Sequence, residues 1–286
     1  MIVKLIASLP SSLNDTFNIV QEKFGLCFGT DTLLSICLIA HQQHTKKTIF
    51  EKTKDEYVDL YYNQYLQRIT MQDTAQSVLL DLSVEVDLPP ALMARLVLKK
   101  YLTQKSYECS HESLNVKTEL SRMMKNPYAI PDPQLSRNVR QCIVHDIGYG
   151  PVTDCIRHMV GLEYEEKLVN CVKALKIPYQ DETELRSIGY DKTPDIKLQI
   201  PIAVNNKVVC WIESKASFGT PETHKQYLND QYYSYWNRFG PGLVIYWFGF
   251  VDELAVELEQ KGIFVMDNFP SMSTISRVDP DRLQTP

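Results

Sequence analysis

Three ionisable residues stand where an apolar run leaves little room for charge. In TPDIKLQIPIAVNNKVVCWIESKASFG, residues 193–219, the run Val208-Val209-Cys210-Trp211-Ile212 reads as a strand covered on both faces. Asp195 opens the strand before it, and Glu213 and Lys215 close it. Charges placed there are costly unless they are paired or hold a metal. Two carboxylates near the middle of a sheet, a lysine two residues after one of them and a further acid on a preceding helix suit phosphodiester hydrolysis. Carboxylate oxygens match Mg2+ or Mn2+, which lowers the pKa of a bound water and neutralises charge on the phosphate. The ammonium orients the nucleophile or stabilises the pentavalent transition state. The plainer reading is a partly exposed Glu213–Lys215 ion pair on one strand face, with Asp195 capping a turn after Pro194. The apolar surroundings weigh against it.

The elements that must position these residues follow from periodicity and breakers. TDCIRHMVGLEYEEKLVNCVKALKI has helical period from a Thr153 cap to Pro178. ETELRSIGY, TPDIKLQIPIAV and KVVCWIESKA then read as three strands joined by short polar links. ETHKQYLNDQYYSYWNRFG reads as a helix closed by Gly240, followed by GLVIYWFGF as a strand, DELAVELEQKG as a helix and IFVMDNF as a last strand. This order predicts an α/β domain, a mixed sheet with helices on both faces. The tail after about residue 268 reads as irregular.

Register puts the shared site to a test. If Asn205-Asn206 is a two-residue hairpin turn, Asp195 falls opposite Ala216 and shares a face with Ser214, not Glu213. Bringing the two acids to one face requires one extra residue, in a longer turn or in a bulge between Pro194 and Lys207. Pro201, which cannot donate to the ladder, marks the place.

Residues 1–147 read as a helical region and 148–286 as the domain carrying the acids, with NPYAIPDPQLS (126–136) and GYGP (148–151) as candidate boundaries. Asp31 is placed to cap one helix, Thr74 to begin another, and Pro89-Pro90 to open ALMARLVLKKYL, giving a helix-turn-helix-like pair. The net charge of -5 argues against a protein that coats nucleic acid by bulk attraction. Residues 95–140 nevertheless hold nine Lys or Arg against four acids, a basic contact surface or simply a solvated helix face. The seven cysteines, odd in number and lying in apolar segments, read as core residues of an intracellular chain. His41 with His44, and Cys109 with His111, lack a second pair at zinc-site spacing, so packing is preferred. No apolar run is long enough to span a bilayer.

TPD at 193–195 with ESK at 213–215, in this element order, resembles the PD-(D/E)xK nuclease superfamily. GLEYEEKL is similar to the family's first-helix segment, with Glu165 at its acidic position, and Gln231 and Tyr235 in QYYSY match the QxxxY pattern of its Holliday-junction-resolvase-like members. Glu165-Glu166-Lys167 and Pro131-Asp132 also fit fragments of the pattern, but they fall in a helix and a proline-rich link. The resemblance implies a restriction-endonuclease-like αβββαβ domain behind a helical N-terminal region. It implies Asp195, Glu213 and the Ser214 carbonyl as Mg2+ or Mn2+ ligands, Glu165 completing the shell, Lys215 serving catalysis, and Gln231 and Tyr235 positioning the site. It implies DNA as substrate, branched or structured; a protein partner, codanin; nuclear and cytoplasmic distribution; and a link to chromatin handling in red-cell precursors.

Other readings stand beside it. A nuclease-like fold can serve as a non-catalytic binding module, and the helices around residues 89–101 can read DNA sequence, with Lys99 and Lys100 as contacts. Glu163 and Glu166 compete with Glu165 for its role. Tyr232, Tyr233 and Trp236 read as core before base-stacking groups, and His224 as a surface residue before a supporting one.

Overall fold

The computed structural model describes residues 2–6, 8–9, 12–71, 77–108, 115–254 and 262–277. The expected helix start at Thr74, the Cys109–His111 pair and most of DELAVELEQKG lie outside them; Asp252 to Leu254 of the last are helical. The chain forms two compact units, Met1–Arg157 and His158–Pro286. The division falls inside one helix, ten residues beyond the expected boundary at 147/148.

The first unit is helical: α1 (Ile2–Ile6), α2 (Leu13–Phe24), α3 (Thr30–Lys52), α4 (Asp55–Met71), α5 (Val78–Glu85), α6 (Pro90–Glu108), α7 (Val116–Lys125) and α8 (Pro133–His145). Its main core gathers Tyr61 and Tyr65 of α4, Leu79 and Leu82 of α5, Met93, Val97 and Leu98 of α6 and Leu135, Val139 and Cys142 of α8. Gly29, not Asp31, is the N-cap of α3; Asp31 lies in the first turn, where it favours the positive end of the helix dipole. The proline-rich stretch interrupts the helices but does not divide the units: Asp132 caps α8 by accepting from the Gln134 and Leu135 amides, both at 2.9 Å. Of the basic run, Lys100 is tied to Asp59 at 2.5 Å and Arg122 to Glu119 at 2.6 Å, while Lys99 is exposed. Cys37 and Cys142 are buried as expected; Cys27 and Cys155 are exposed. His44 donates from Nε2 to the Asp87 carboxylate at 2.9 Å beside Lys52, and His41 stands edge-on to Tyr149.

Helix α9 (Pro151–Ala174) leads into the second unit. Thr153 donates to the Asp146 carbonyl at 2.6 Å near its start, and Leu168 and Val172, one turn apart, bury its inner face. A six-stranded mixed sheet follows: β1 (Tyr179–Asp181), β2 (Ile196–Val204), β3 (Lys207–Lys215), β4 (Gly242–Tyr246), β5 (Ile263–Met266) and β6 (Ile275–Arg277). The order is β1-β2-β3-β4-β5, antiparallel as far as β3 and parallel beyond, with β6 on β2. Helices α10 (Glu182–Ser187), α11 (Pro221–Tyr227) and α12 (Tyr233–Phe239) intervene, the last two joined by a π-helical turn over Leu228–Tyr232. ETELRSIGY, expected as a strand, is thus mostly helix α10; the strand lies just before it. The tail is likewise not wholly irregular, since β6 pairs with Ile202 to Val204.

The two faces of the sheet carry separate cores. Val209, Ile212, Leu243 and Ile245 pack with Leu168 and Val172 on one face. Trp211, Val244 and Tyr246 pack with Leu228, Tyr232 and Tyr235 on the other. Only glycine suits position 242, because a Cβ there would lie 2.0 Å from a ring carbon of Trp211 on the neighbouring strand.

The β2–β3 hairpin carries the predicted irregularity. Asn205 and Asn206, with φ of 49° and 64°, make a two-residue turn of the left-handed kind favoured in hairpins. Val204, Ala203 and Ile202 then face Lys207, Val208 and Val209. Farther along, Lys197 faces Trp211 and Ile196 faces Ile212, so β2 fits Leu198 to Pro201 where β3 has only Cys210. The insertion is three residues rather than the expected one, and it spans Pro201. An odd number reverses the alternation of faces either way, so Asp195 comes into line with Glu213.

Candidate active site

Glu213 lies on the central strand β3 and is 3% exposed. Its Oε1 accepts from the Lys215 ammonium at 2.6 Å, and the lysine side chain is itself only 17% exposed. The pair exists, but it is buried, unlike the exposed ion pair of the plainer reading. Lys215 also donates to Gln231 Oε1 at 3.3 Å. Asp195 is half-buried, and its Oδ2 accepts from the Ser214 amide at 2.7 Å. That bond spans the corrected register and draws the end of β2 to the end of β3.

Electrostatics make this a site of crowded negative charge. Burial, and then the neighbouring Glu213 carboxylate, hold the Asp195 pKa well above the ordinary carboxylate range. Glu165 is also shifted up, by burial first and then by Glu182 and Glu213. It is partly buried on α9, three residues before buried Leu168, whereas Glu163 and Glu166 are exposed. Burial works to lower the Lys215 pKa, but Glu213 and Asp195 outweigh it and leave it above the usual lysine value.

Gln231 lies within the π-helical turn and Tyr235 in α12 just after it. His224, Leu228 and Tyr232 are buried at four-residue spacing, and the wider turn takes up the drift such a repeat accumulates at 3.6 residues per turn. Gln231 reaches Lys215 directly. Tyr235 is 2% exposed and packs edge-on against Trp211 with ring centroids 5.3 Å apart. Burial, followed by Glu213 and Asp195, raises its hydroxyl pKa. Tyr232 is core as expected, but Tyr233 and Trp236 are 41% and 43% exposed. His224, expected at the surface, is 1% exposed and hydrogen-bonds the Tyr246 hydroxyl through Nδ1 at 2.8 Å.

Three neighbours were not singled out in the sequence. Glu182, the first residue of α10, lies close enough to Glu165 to raise its pKa. Trp247 donates from Nε1 to the Ser214 hydroxyl at 2.8 Å. The Tyr227 ring lies 4.7 Å from the Lys215 ammonium. The signal for Glu182 was available in Asp181-x-x-Glu184, a helix-start pattern in which the Asp181 side chain accepts from the Glu184 amide at 2.8 Å.

The donor set fits a hard divalent cation. Glu213 Oε2 is buried with no hydrogen-bond partner among the described residues, and an orphaned buried carboxylate oxygen beside two further acids calls for positive charge. Among the described residues no three His, Cys, Asp or Glu side chains converge as a ready-made cage. Mg2+ does not require one, because it keeps several waters and typically takes one or two carboxylates plus substrate phosphates.

A family described as "Protein of unknown function TPD sequence-motif" matches residues 131–269, which include Thr193-Pro194-Asp195. Curated proteins named CDAN1-interacting nuclease 1 match over most of the chain. The Homo sapiens protein is 45% identical over 240 residues, covering 84% of this chain and 83% of its own length. The chain belongs to the CDAN1-interacting nuclease 1 family. Its Danio rerio relative is 45% identical across 84% of this chain and 78% of its own length, and its Gallus gallus relative 43% identical across 88% and 86%. No solved structure matches the chain. Within the family frame, the matched segment contains every site residue named above: Glu165, Asp195, Glu213, Ser214, Lys215, Gln231 and Tyr235.

Proposed function

We propose that this chain is a metal-dependent nuclease of the PD-(D/E)xK kind, hydrolysing phosphodiester bonds in DNA, with branched or structured DNA as the substrate class. The observation that carries the reading is the odd register shift in the β2–β3 hairpin, which brings Asp195 beside Glu213, Lys215 and an unpartnered Glu213 Oε2. A strand pair built only for stability gains nothing from three extra residues that crowd two carboxylates together.

Asp195, Glu213 and the Ser214 carbonyl would hold Mg2+ or Mn2+, with Glu165 extending the shell, and the bound ion would supply Lewis acidity toward the phosphate and the attacking water. Lys215, a three-donor ammonium, keeps one N–H for a phosphate oxygen while Glu213 and Gln231 take the other two. Gln231 and Tyr235 hold the helix side of the site, where buried aromatic rings exclude water and strengthen each charge interaction.

The relatives are named for interaction with CDAN1. We carry that partner, codanin, over to this chain, together with a nuclear and cytoplasmic setting and a role in chromatin handling during red-cell differentiation. Among the described residues no helix is long and apolar enough to cross a membrane.

The 2.6 Å Glu213–Lys215 pair, which satisfies one buried carboxylate oxygen without any metal, favours a second reading, a non-catalytic binding module. Calorimetric titration with Mn2+ separates the two. The nuclease reading expects saturable binding that Asp195→Asn and Glu213→Gln each remove. A binding module shows no saturable uptake, or uptake indifferent to both changes.

A further inference from the structure

Lys215 must present a mobile ammonium, on a four-carbon stem, at one point in space. Two of its restraints are the acceptors already described, Glu213 Oε1 and Gln231 Oε1, at 2.6 and 3.3 Å. The third is aromatic. The ammonium nitrogen lies 4.7 Å from the centre of the Tyr227 ring and 5.9 Å from that of Tyr232, both within the range of cation–π attraction. The two rings stand 5.9 Å apart with 37° between their planes, forming a corner around the charge.

The two walls of that corner are unequal. Tyr232 is fully buried and packs against Trp211, His224 and Tyr235 as well, so it belongs to the core. Tyr227 is only partly buried and closes α11, one turn before Gln231. It is the wall that can be changed without emptying the core.

We propose that Tyr227 is a positioning residue for Lys215: its ring face fixes the ammonium between Glu213 and Gln231, so that the remaining N–H points at the scissile phosphate. The ring acts through its face, and its hydroxyl is dispensable. The kinetic part of this inference rests on the nuclease reading, whereas the geometric part does not. A leucine would fill part of the volume but offer no π-face, so the ammonium would sample rotamers that swing it away from the phosphate.

The test compares the full-length protein with Tyr227→Phe and Tyr227→Leu by two readouts. In NMR spectra the Lys215 side-chain ε-methylene protons are expected to be shifted upfield by the ring in the wild type and in Tyr227→Phe, and to move toward ordinary lysine positions in Tyr227→Leu. In DNA cleavage with Mg2+, Tyr227→Leu should lower kcat roughly three- to tenfold with little change in KM, the scale expected for loss of an ammonium–ring contact, while Tyr227→Phe keeps wild-type kcat. Unchanged Lys215 resonances in Tyr227→Leu would overturn the proposal, as would a phenylalanine variant as impaired as the leucine one. A wild type with the upfield shift but no cleavage would support the placement of Lys215 by Tyr227 and count against the nuclease reading instead.

Discussion

Lys215→Met isolates the electrostatic logic of the site. It keeps most of the aliphatic stem and deletes the charge that neutralises Glu213, whose side chain is 4% exposed. At an effective dielectric constant of about 20, unit charges 2.6 Å apart attract by about 6 kcal/mol. The chain need not lose that much, because the cost of desolvating the two charges offsets part of the attraction. About 3–5 kcal/mol is typical when one partner of a buried pair is removed, so the penalty should be about 4 kcal/mol at pH 7. Denaturant unfolding followed by tryptophan fluorescence is the assay. Trp211, Trp236 and Trp247 are the chain's three tryptophans, and all lie in the second unit, so the signal reports that unit alone. A loss below about 1 kcal/mol at pH 7 would refute the claim that the pair is buried and mutually dependent.

Three further outcomes follow from the same geometry. Asp195 has a raised pKa in the folded chain, so above about pH 4 the unfolded state sheds a proton that the native state keeps, and stability falls as pH rises through that window. Asp195→Asn should flatten that slope in unfolding titrations and raise stability by about 0.5–2 kcal/mol at neutral pH. Gly242→Ala should cost about 3 kcal/mol, because its Cβ would meet the Trp211 ring at 2.0 Å, and a shifted tryptophan emission would accompany the loss. Asn206→Gly should stabilise the hairpin by about 0.5 kcal/mol in thermal melts, since φ of 64° is easier for glycine, and a decrease would contradict the turn assignment.

How much of this was legible in the sequence depended on whether the signal was local. Asp195, Glu213 and Lys215 stood out because charge next to Val209-Cys210-Trp211-Ile212 is costly unless it is paired or holds a metal. Parity alone required a break in the hairpin, but not its length: the bulged stretch of β2 pairs with β1, Tyr179 facing Leu198, and that partner could not be seen in the hairpin itself. Alternation misled at ETELRSIGY, where buried Leu185 and the Glu182–Arg186 pair at 2.5 Å belong to a short capped helix. Strand β6 is three residues long and exists only through its pairing with β2, so no local pattern marks it. His224 looked like a surface histidine because its partner, Tyr246, lies 22 residues away on β4. The Lys215 corner was hidden for a similar reason: Tyr232 reads as core, and nothing local in the sequence marks Tyr227 as the second ring beside the ammonium.

The most direct test of the central claim is cleavage of end-labelled single-stranded, duplex, flapped and four-way DNAs with Mg2+ or Mn2+, comparing the wild type with Glu213→Ala and Lys215→Ala. Metal-dependent cutting is expected of the wild type and is lost in both variants while their circular dichroism spectra stay unchanged. Cutting that survives both substitutions, or a folded wild type that binds the metal and cuts none of these DNAs, would contradict it.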